Sequence, residues 1–452
     1  MRIPSLFGSF NHSVRSMQQA QYALTVHGSN IAHANDKDYT RRDVLPFTES
    51  FRKGPGIVRL RDRFIDDQFR RTAGKLGDAE VRQSVLTKVE DIFGDPVNGG
   101  LRSALDGFFD AWQGLAENPS DGVARIEVIN KGSVFAEQIR STYRQLADVE
   151  QTVNEELLTR VDEVNNLVSR VFDLNIKISN LSRNFMDDAE LRDQRDVALD
   201  RLAELTGAMA MDQPDGTVRV VVGSTVVLDG PITTKLLLTN TVDGPTPTWA
   251  GYTTPTYNGS GTIEGLVTVR NGDLKTLKKH IDDLGRSVGN AVNDQHLLGY
   301  PLGGGVPEAF FNFSAAPADI TVNPDITPAT LAVAGTSTGL PSDGDNARLI
   351  AALADKPIIE SPIITGKQEG VRSFYRNLIG WIGTQSAAAT QDMKAAEAHK
   401  QITEGQRQAQ WGVSLDEEVA HLTMEQKAFA AAARVITVMD QMLDDLLNAV
   451  RR

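Results

Sequence analysis

Apolar residues recur every seven positions at both ends of the chain. Near the C-terminus, Leu415, Leu422, Phe429, Ile436, Leu443 and Val450 keep strict heptad spacing, and Val419, Ala432, Met439 and Leu446 occupy alternate positions. Such a pattern is the seam of one long helix. Ser414 followed by Glu417 reads as a capping box at its start. Asp416, Glu417 and Glu418 at the first turn, with Arg451 and Arg452 at the end, suit the helix dipole. A helix of roughly 38 residues, rising about 1.5 Å per residue, would be about 57 Å long and needs an equally long surface to pack on. The N-terminus offers one. Ile3, Phe10, Met17, Leu24 and Ile31 also recur every seven residues, with Phe7 and Val14 in support; Gln21 and Gly28 weaken the stripe, and Pro4 suits a first helical turn. The stripes allow two readings: two ordinary amphipathic helices of a bundle, or termini that pair as a coiled coil with the rest of the chain inserted between them.

Between the termini the pattern changes several times. The first helix is expected to end near Asn35, where turn-forming residues follow, and residues 40–60 to be extended, with Gly54-Pro55-Gly56 as a turn. Helical spacing returns through Phe64, Phe69, Leu76, Val81, Val85, Val89 and Ile92. Leu101, Leu105, Phe108, Trp112 and Leu115 trace one face of a short helix, and Asn118-Pro119-Ser120-Asp121 ends it and caps the next. That next helix is expected to run to about Leu146. A second heptad follows through Leu157, Val164, Val171 and Ile178, and the helical block closes at Leu205 with Gly207 as a stop. The β-branched run Val218 to Val227 then signals strands, with Asp215-Gly216 as a hairpin turn. Helical spacing resumes from Leu266 to Val292 and from Ala347 to Arg407, with a break near 356–370. Residues 300–345 are rich in Gly, Pro, Thr and Ser.

The expected fold class is therefore mainly α with β insertions. Residues 1–60 with 400–452 form a terminal pair. Residues 61–205 with 264–300 and 346–399 form a helical-bundle middle domain. Residues 206–263 form a hairpin-rich insertion, and 301–345 a second loop or β insertion.

Composition narrows the function classes. At 452 residues the chain exceeds a single core. Its net charge of −13 argues against a nucleic-acid partner and against binding to an anionic membrane. Cysteine is absent, which removes a disulfide framework, thiolate metal sites and a Cys nucleophile. No apolar run is long enough for a transmembrane helix. The first residues lack a continuous apolar core, so no cleaved signal peptide is expected.

Candidate chemistry is sparse. The seven histidines (His12, His27, His33, His280, His296, His399 and His421) show no metal-binding spacing, and solvated side chains are the expectation for His12, His27 and His33. Gly303-Gly304-Gly305 lacks the Lys-Ser/Thr of a phosphate loop. Asp187, Asp188, Glu190, Asp193 and Asp196 are not spaced as a calcium loop; Asp193-Gln194-Arg195-Asp196 reads as an ion-pair set internal to one helix. No catalytic residues, cofactor or metal ligands are expected.

Longer motifs say more. Ser29 to Asn35, with Tyr39-Thr40-Arg41 following, resembles the N-terminal signature of bacterial flagellar axial proteins; its matching positions include Asn30, Asn35 and Tyr39. In place of the family's turn before the Tyr, this chain has Asp36-Lys37-Asp38. Three further stretches narrow the resemblance to the hook-associated protein 1 family of hook–filament junction proteins. They are Phe108 to Asp121, carrying Trp112, Asn118 and Pro119; Leu191 to Asp196, carrying Asp193 and Arg195; and Gly412 to Glu418 with its continuation Ala431 to Ile436, carrying Asp416, Glu417 and Arg434. The resemblance implies paired terminal helices as a coiled-coil inner domain, a helical domain around it and β-rich insertions facing outward. It implies a structural adaptor at the hook–filament junction of the flagellum, outside the cell, exported unfolded through the flagellar type III apparatus. The implied partners are other copies of the chain in a ring, the hook protein, the second junction protein (hook-associated protein 3), and an export chaperone on the C-terminal helix. The alternatives are a hook or rod protein, a secreted helical effector, and a cytoplasmic coiled-coil scaffold.

Overall fold

The computed structural model describes residues 6–44, 56–94, 100–184, 186–251 and 257–450. Helix α1 (Leu6–Ala32) leads through a loop into the short antiparallel ladder β1 (Arg42–Val44) and β2 (Ile57–Arg59). The expected Gly54-Pro55 turn lies outside the described residues. Four helices follow: α2 (Arg63–Phe93), α3 (Leu101–Glu117), α4 (Gly122–Arg183) and α5 (Ala189–Thr206).

Helix α4 is the spine of the molecule. Its 62 residues form one continuous helix, about 90 Å long at 1.5 Å per residue, where the apolar pattern had suggested a boundary near Leu146. Residues 133–183 contain neither Gly nor Pro, and the inward line runs on through buried Leu146, half-buried Val149, and buried Val153, Leu157, Val161 and Val164. Spacing of three and four keeps one face inward along the whole length. Two amides on α4 dock strands. Asn175 Nδ2 donates to Val218 O and its Oδ1 accepts from Val218 N; Asn165 treats Leu236 in the same way.

Those strands make up the first insertion. β3 (Met209–Asp212), β4 (Val218–Val222), β5 (Thr225–Asp229) and β6 (Ile232–Thr233) form an antiparallel meander, and β7 (Leu236–Thr241) pairs with β8 (Gly244–Trp249) as a separate hairpin. Val218, Val220 and Val222 alternate inward, as period two requires. Gly207 ends α5 in the left-handed conformation (φ 67°), which glycine adopts without a Cβ clash.

The chain returns through α6 (Thr262–Val269), a single π-helical turn over Arg270–Leu274, and α7 (Lys275–His296). Residues 300–345 then hold β9 (Tyr300–Pro301), β10 (Phe311–Phe313), β11 (Ile320–Val322) and β12 (Ala332–Ala334), paired as β10–β11 and β9–β12. This segment does more than decorate the surface. Phe310 and Phe311 are buried against Phe108, and Phe310 also meets Trp112 edge-on. Arg125, itself buried, donates from Nε to Pro119 O and from Nη1 to Pro328 O and Leu331 O. The motif residues Trp112 and Pro119 thus belong to the core that seats this segment, and exposed Asn118 caps the end of α3. Helix α8 (Asp345–Ala351), the ladder β13 (Ile359–Glu360) with β14 (Gln368–Glu369), α9 (Val371–Trp411) and α10 (Leu415–Val450) complete the chain. α9 packs along α2, and α10 packs along α1.

Candidate functional site at the base of the terminal helices

α1 and α10 run antiparallel, since His27 near the end of α1 meets Glu418 near the start of α10. The buried line of α1 passes through Ser13, Ala20, Ala23, His27 and Asn30, with half-buried Ser16 among them. On α10 the facing line is Glu418 and Ala432, both buried, with half-buried Leu422, Glu425, Phe429, Ile436, Met439 and Leu443 between and beyond them. Both lines step by three and four, as a heptad seam does.

The period expected from the sequence is present, but its register on α1 is displaced. Phe10, Met17, Leu24 and Ile31 are half-buried and flank a line of small and polar residues. Small side chains let the helix axes approach, and the larger ones cover the sides. On α10, Leu415 and Val419 are half exposed, and Glu418 takes the interior place instead. Ile3 and the Val450 side chain lie outside the described residues.

Glu418 is 0 % exposed and is fully engaged. Oε2 accepts from His27 Nδ1 at 2.6 Å and from Asn30 Nδ2 at 2.9 Å; Oε1 accepts from Arg41 Nε at 2.7 Å. Burial pushes its carboxyl up, but hydrogen bonds from Asn30 and His27 and the charge of Arg41 prevail and hold it below the usual Glu range. The ionised oxygen accepts, so His27 Nδ1 carries the proton that it donates. Asn30 completes the motif. Its Oδ1 accepts from Tyr39 O–H at 2.7 Å and Arg42 N at 3.1 Å, while its Nδ2 also reaches Arg42 O at 2.9 Å. One buried amide therefore fixes the end of α1, the loop and the start of β1. Glu417 pairs with Arg41 at 3.0 Å, so its carboxylate is turned toward Arg41 instead of back to the helix start as a capping box requires. Asn35, Asp416 and Arg434 are exposed.

A second cluster lies directly behind the first. Asp193 on α5 binds Arg42 Nη2 at 3.0 Å and Arg59 Nη2 at 2.6 Å. Asp196, one turn further on, binds Arg59, Arg61 and Arg70, and Asp200 binds Arg70 Nε at 2.8 Å and Arg407 Nη1 at 2.6 Å. Arg61 also pairs with Asp66. Spacing of three and four places all three α5 carboxylates on one face. α2 comes close enough to supply Arg70 and Asp66 because Gly77 faces α5 without a side chain: a Cβ there would sit 2.7 Å from Glu204 O. Burial pushes the Asp200 carboxyl up, yet Arg70, Arg407 and Arg61 outweigh it and hold the group below the usual range. Desolvation lowers Arg61 to about 10 and Arg195 to about 9.

The motif Asp193-Gln194-Arg195-Asp196 is thus not an ion-pair set internal to its helix. Its acids reach β1, β2 and α2, and Arg195 turns the other way, donating to Asn175 Oδ1 and Gly216 O at the hairpin turn. His27, expected to be solvated, is instead buried against Glu418, because it lies on the inward line of α1. Arg41 and Glu418 stand in the sequence motifs without a role, and no pattern singles out Arg42 or Asn175; the signal for Glu418 is a glutamate falling on the heptad line. Among the described residues no group of His, Asp or Glu is placed to hold a metal ion, and no helix is long and apolar enough to cross a membrane. The carboxylates of both clusters are neutralised by guanidinium groups. The arrangement joins segments of chain.

A body held together by long helices, with its ends paired and a polar hub tying the pair to the body, defines a structural assembly component. Comparison with known proteins makes this particular. A family model described as the helical domain of the flagellar hook-associated protein FlgK matches residues 86–311, and one described as the C-terminal part of the flagellar basal body rod proteins FlgE, FlgF and FlgG matches residues 406–449. The chain belongs to the flagellar hook-associated protein FlgK family, whose members are structural components of the flagellum and not enzymes. Flagellar hook-associated protein 1 of Bacillus subtilis is 26 % identical over 99 % of both chains. That of Salmonella typhimurium is 25 % identical over 68 % of this chain and 59 % of its own length. The fold also matches a solved structure of the flagellar hook junction protein FlgK from Burkholderia pseudomallei, with a TM-score of 0.64, 14 % identity, and coverage of 75 % of this chain and 99 % of that one.

Proposed function

We propose that the protein is a structural adaptor joining hook to filament, in which the terminal helices form the wall shared between subunits. The observation that carries this reading is a second apolar line on α10. Met424, Ala428, Ala431, Val435, Val438 and Met442 also step by four and three, about 100° around the helix from the line that faces α1. All six are exposed, from 42 % at Val435 to 56 % at Met424 among the large ones. A helix apolar on two faces is suited to two partners.

In this reading the inner line holds α10 to α1 as a coiled coil, and the outer line meets neighbouring copies in a ring. Hook protein lies on one side and hook-associated protein 3 on the other. Before export through the type III apparatus, a chaperone covers the apolar faces of α10 by helix-in-groove recognition. Residues 1–60 with 400–452 act as the inner domain, and the helical and β-containing parts lie outside it. A hook or rod role is the nearest competitor, because the match over residues 406–449 is to rod-type proteins; the helical-domain match over residues 86–311 favours the junction.

The test is a deletion strain complemented with Ile436→Asp. A charge on the inner line is expected to leave hooks intact and abolish filaments, while the purified variant keeps its helical body. Normal filaments on this variant would contradict the assignment.

A further inference from the structure

Arg41 and Arg42 are consecutive residues in extended chain. Arg41 N donates to Trp411 O, its carbonyl accepts from Leu60 N, and Arg42 opens β1 opposite Arg59. In such backbone, successive side chains point to opposite sides. Here one side is the terminal helix pair and the other is the body. Arg41 reaches Glu418 and Glu417 of α10, and Arg42 reaches Asp193 of α5. Arg59, the cross-strand partner of Arg42, adds a second arm to Asp193. The groups from Arg42 to Asp196 are largely shielded from water, with side-chain exposures of 10–13 %, so these pairs are poorly screened.

The contacts of the terminal pair show why this matters. α10 packs on α1, and α1 packs in turn on β1. Narrow attachments of this kind leave relative motion as the default. We propose that the Arg41-Arg42 dipeptide is a two-sided strap, and that Asp193 is a positioning residue that sets the angle of the terminal helix pair on the helical body. Asn30 supports the strap by holding Arg42 through both its N–H and its C=O. The inference concerns orientation within one subunit, so it stands whether or not the junction reading holds.

The chain has no cysteine, so paired spin labels can be placed on the full-length protein without removing any. Labels at Gln426→Cys on α10 and Asn166→Cys on α4 report the orientation. Labels at Asn11→Cys and Gln426→Cys report the helix pair alone. All three positions are exposed. In electron–electron distance measurements the wild-type background is expected to give one narrow distribution for each pair. Asp193→Asn and Arg42→Gln should each broaden the first distribution about twofold, the behaviour of a freed domain attachment, and leave the second unchanged. The double variant should go no further than Asp193→Asn alone, since the one contact that Arg42→Gln removes is already lost there. A first distribution that stays narrow in both variants would overturn the proposal. So would broadening of both distributions together, because Asp193 would then support the fold at large instead of the angle.

Discussion

The helical body and the terminal helix pair are built from the same elements and finished to different degrees. In the body, Phe108, Trp112, Phe135, Leu157, Val164, Ile281 and Phe374 are fully buried in one continuous core. In the terminal pair, the buried apolar side chains among the described residues are small and few: Ala20, Ala23, Val26 and Ala432. The large ones, Phe10, Met17, Leu24, Leu422, Phe429 and Ile436, are half covered, and the interior places beside them go to His27, Asn30 and Glu418. A dry core draws its stability from area removed from water, at about 25 cal/mol per Å². The terminal pair has that term in part only, and depends on a hydrogen-bonded charge for its register. The body closes a dry core within the one chain; the pair leaves Met424, Val435, Val438 and Met442 of α10 in one exposed line.

Breaking this contrast in the body should have the largest effect. Trp112→Ala empties a site packed against Phe108, Phe310 and His296 and is expected to cost about 3–5 kcal/mol, read as a loss of the main thermal transition. The next effect is local. Glu418→Ala leaves His27 Nδ1 without its acceptor, Arg41 with exposed Glu417 alone and Asn30 Nδ2 with Arg42 O alone, and removing one member of a buried charged set costs about 3–5 kcal/mol. Because the attachment is narrow, the loss should appear as fast amide exchange in residues 6–32 and 415–450 while the body keeps its melting temperature.

Acid should reach the same state in the unmodified protein. The Glu418 carboxyl is held below its ordinary value of 4.5, so its contribution is full above that value. It is lost as pH falls through the depressed value, because the unfolded segment then binds the proton more readily. Glu418→Gln, which cannot titrate, should lack this acid step, and helix-pair exchange followed between pH 6 and pH 2 would show it. The smallest effect on the monomer is expected from Val438→Asp. The site is exposed, so stability should change by less than about 0.5 kcal/mol, yet assembly into flagella should fail.

Much of the body could be read from the chain. The apolar steps in α2, α3, α5 and α7 are regular, and Gly207 and Asp215-Gly216 mark ends that the structure places there. The unity of α4 was less legible, because a change in the density of apolar residues near Leu146 resembles a boundary when nothing polar or flexible is required to make one. The terminal pair was legible in its period and misleading in its register. Phe10, Met17 and Leu24 are the most hydrophobic stripe of α1, but close helix approach selects Ala20 and Ala23 and leaves the bulky stripe to the flank. The two carboxylate sites were the least legible. Glu418 and Asp193 sit in sequence among other acids, and only the fold shows which one is buried and which arginine, more than a hundred residues away, it meets.

Hydrogen exchange on the purified monomer, set beside the same protein in sheared flagella, shows whether the terminal pair is completed only on assembly. Peptides from residues 6–32 and 415–450 are expected to exchange much faster than α4 in the monomer and to become protected in flagella, as the open face of α10 is covered. Protection in the monomer already equal to that of α4 would mean the opposite: a terminal pair as stable on its own as the body, with no face left for assembly to cover.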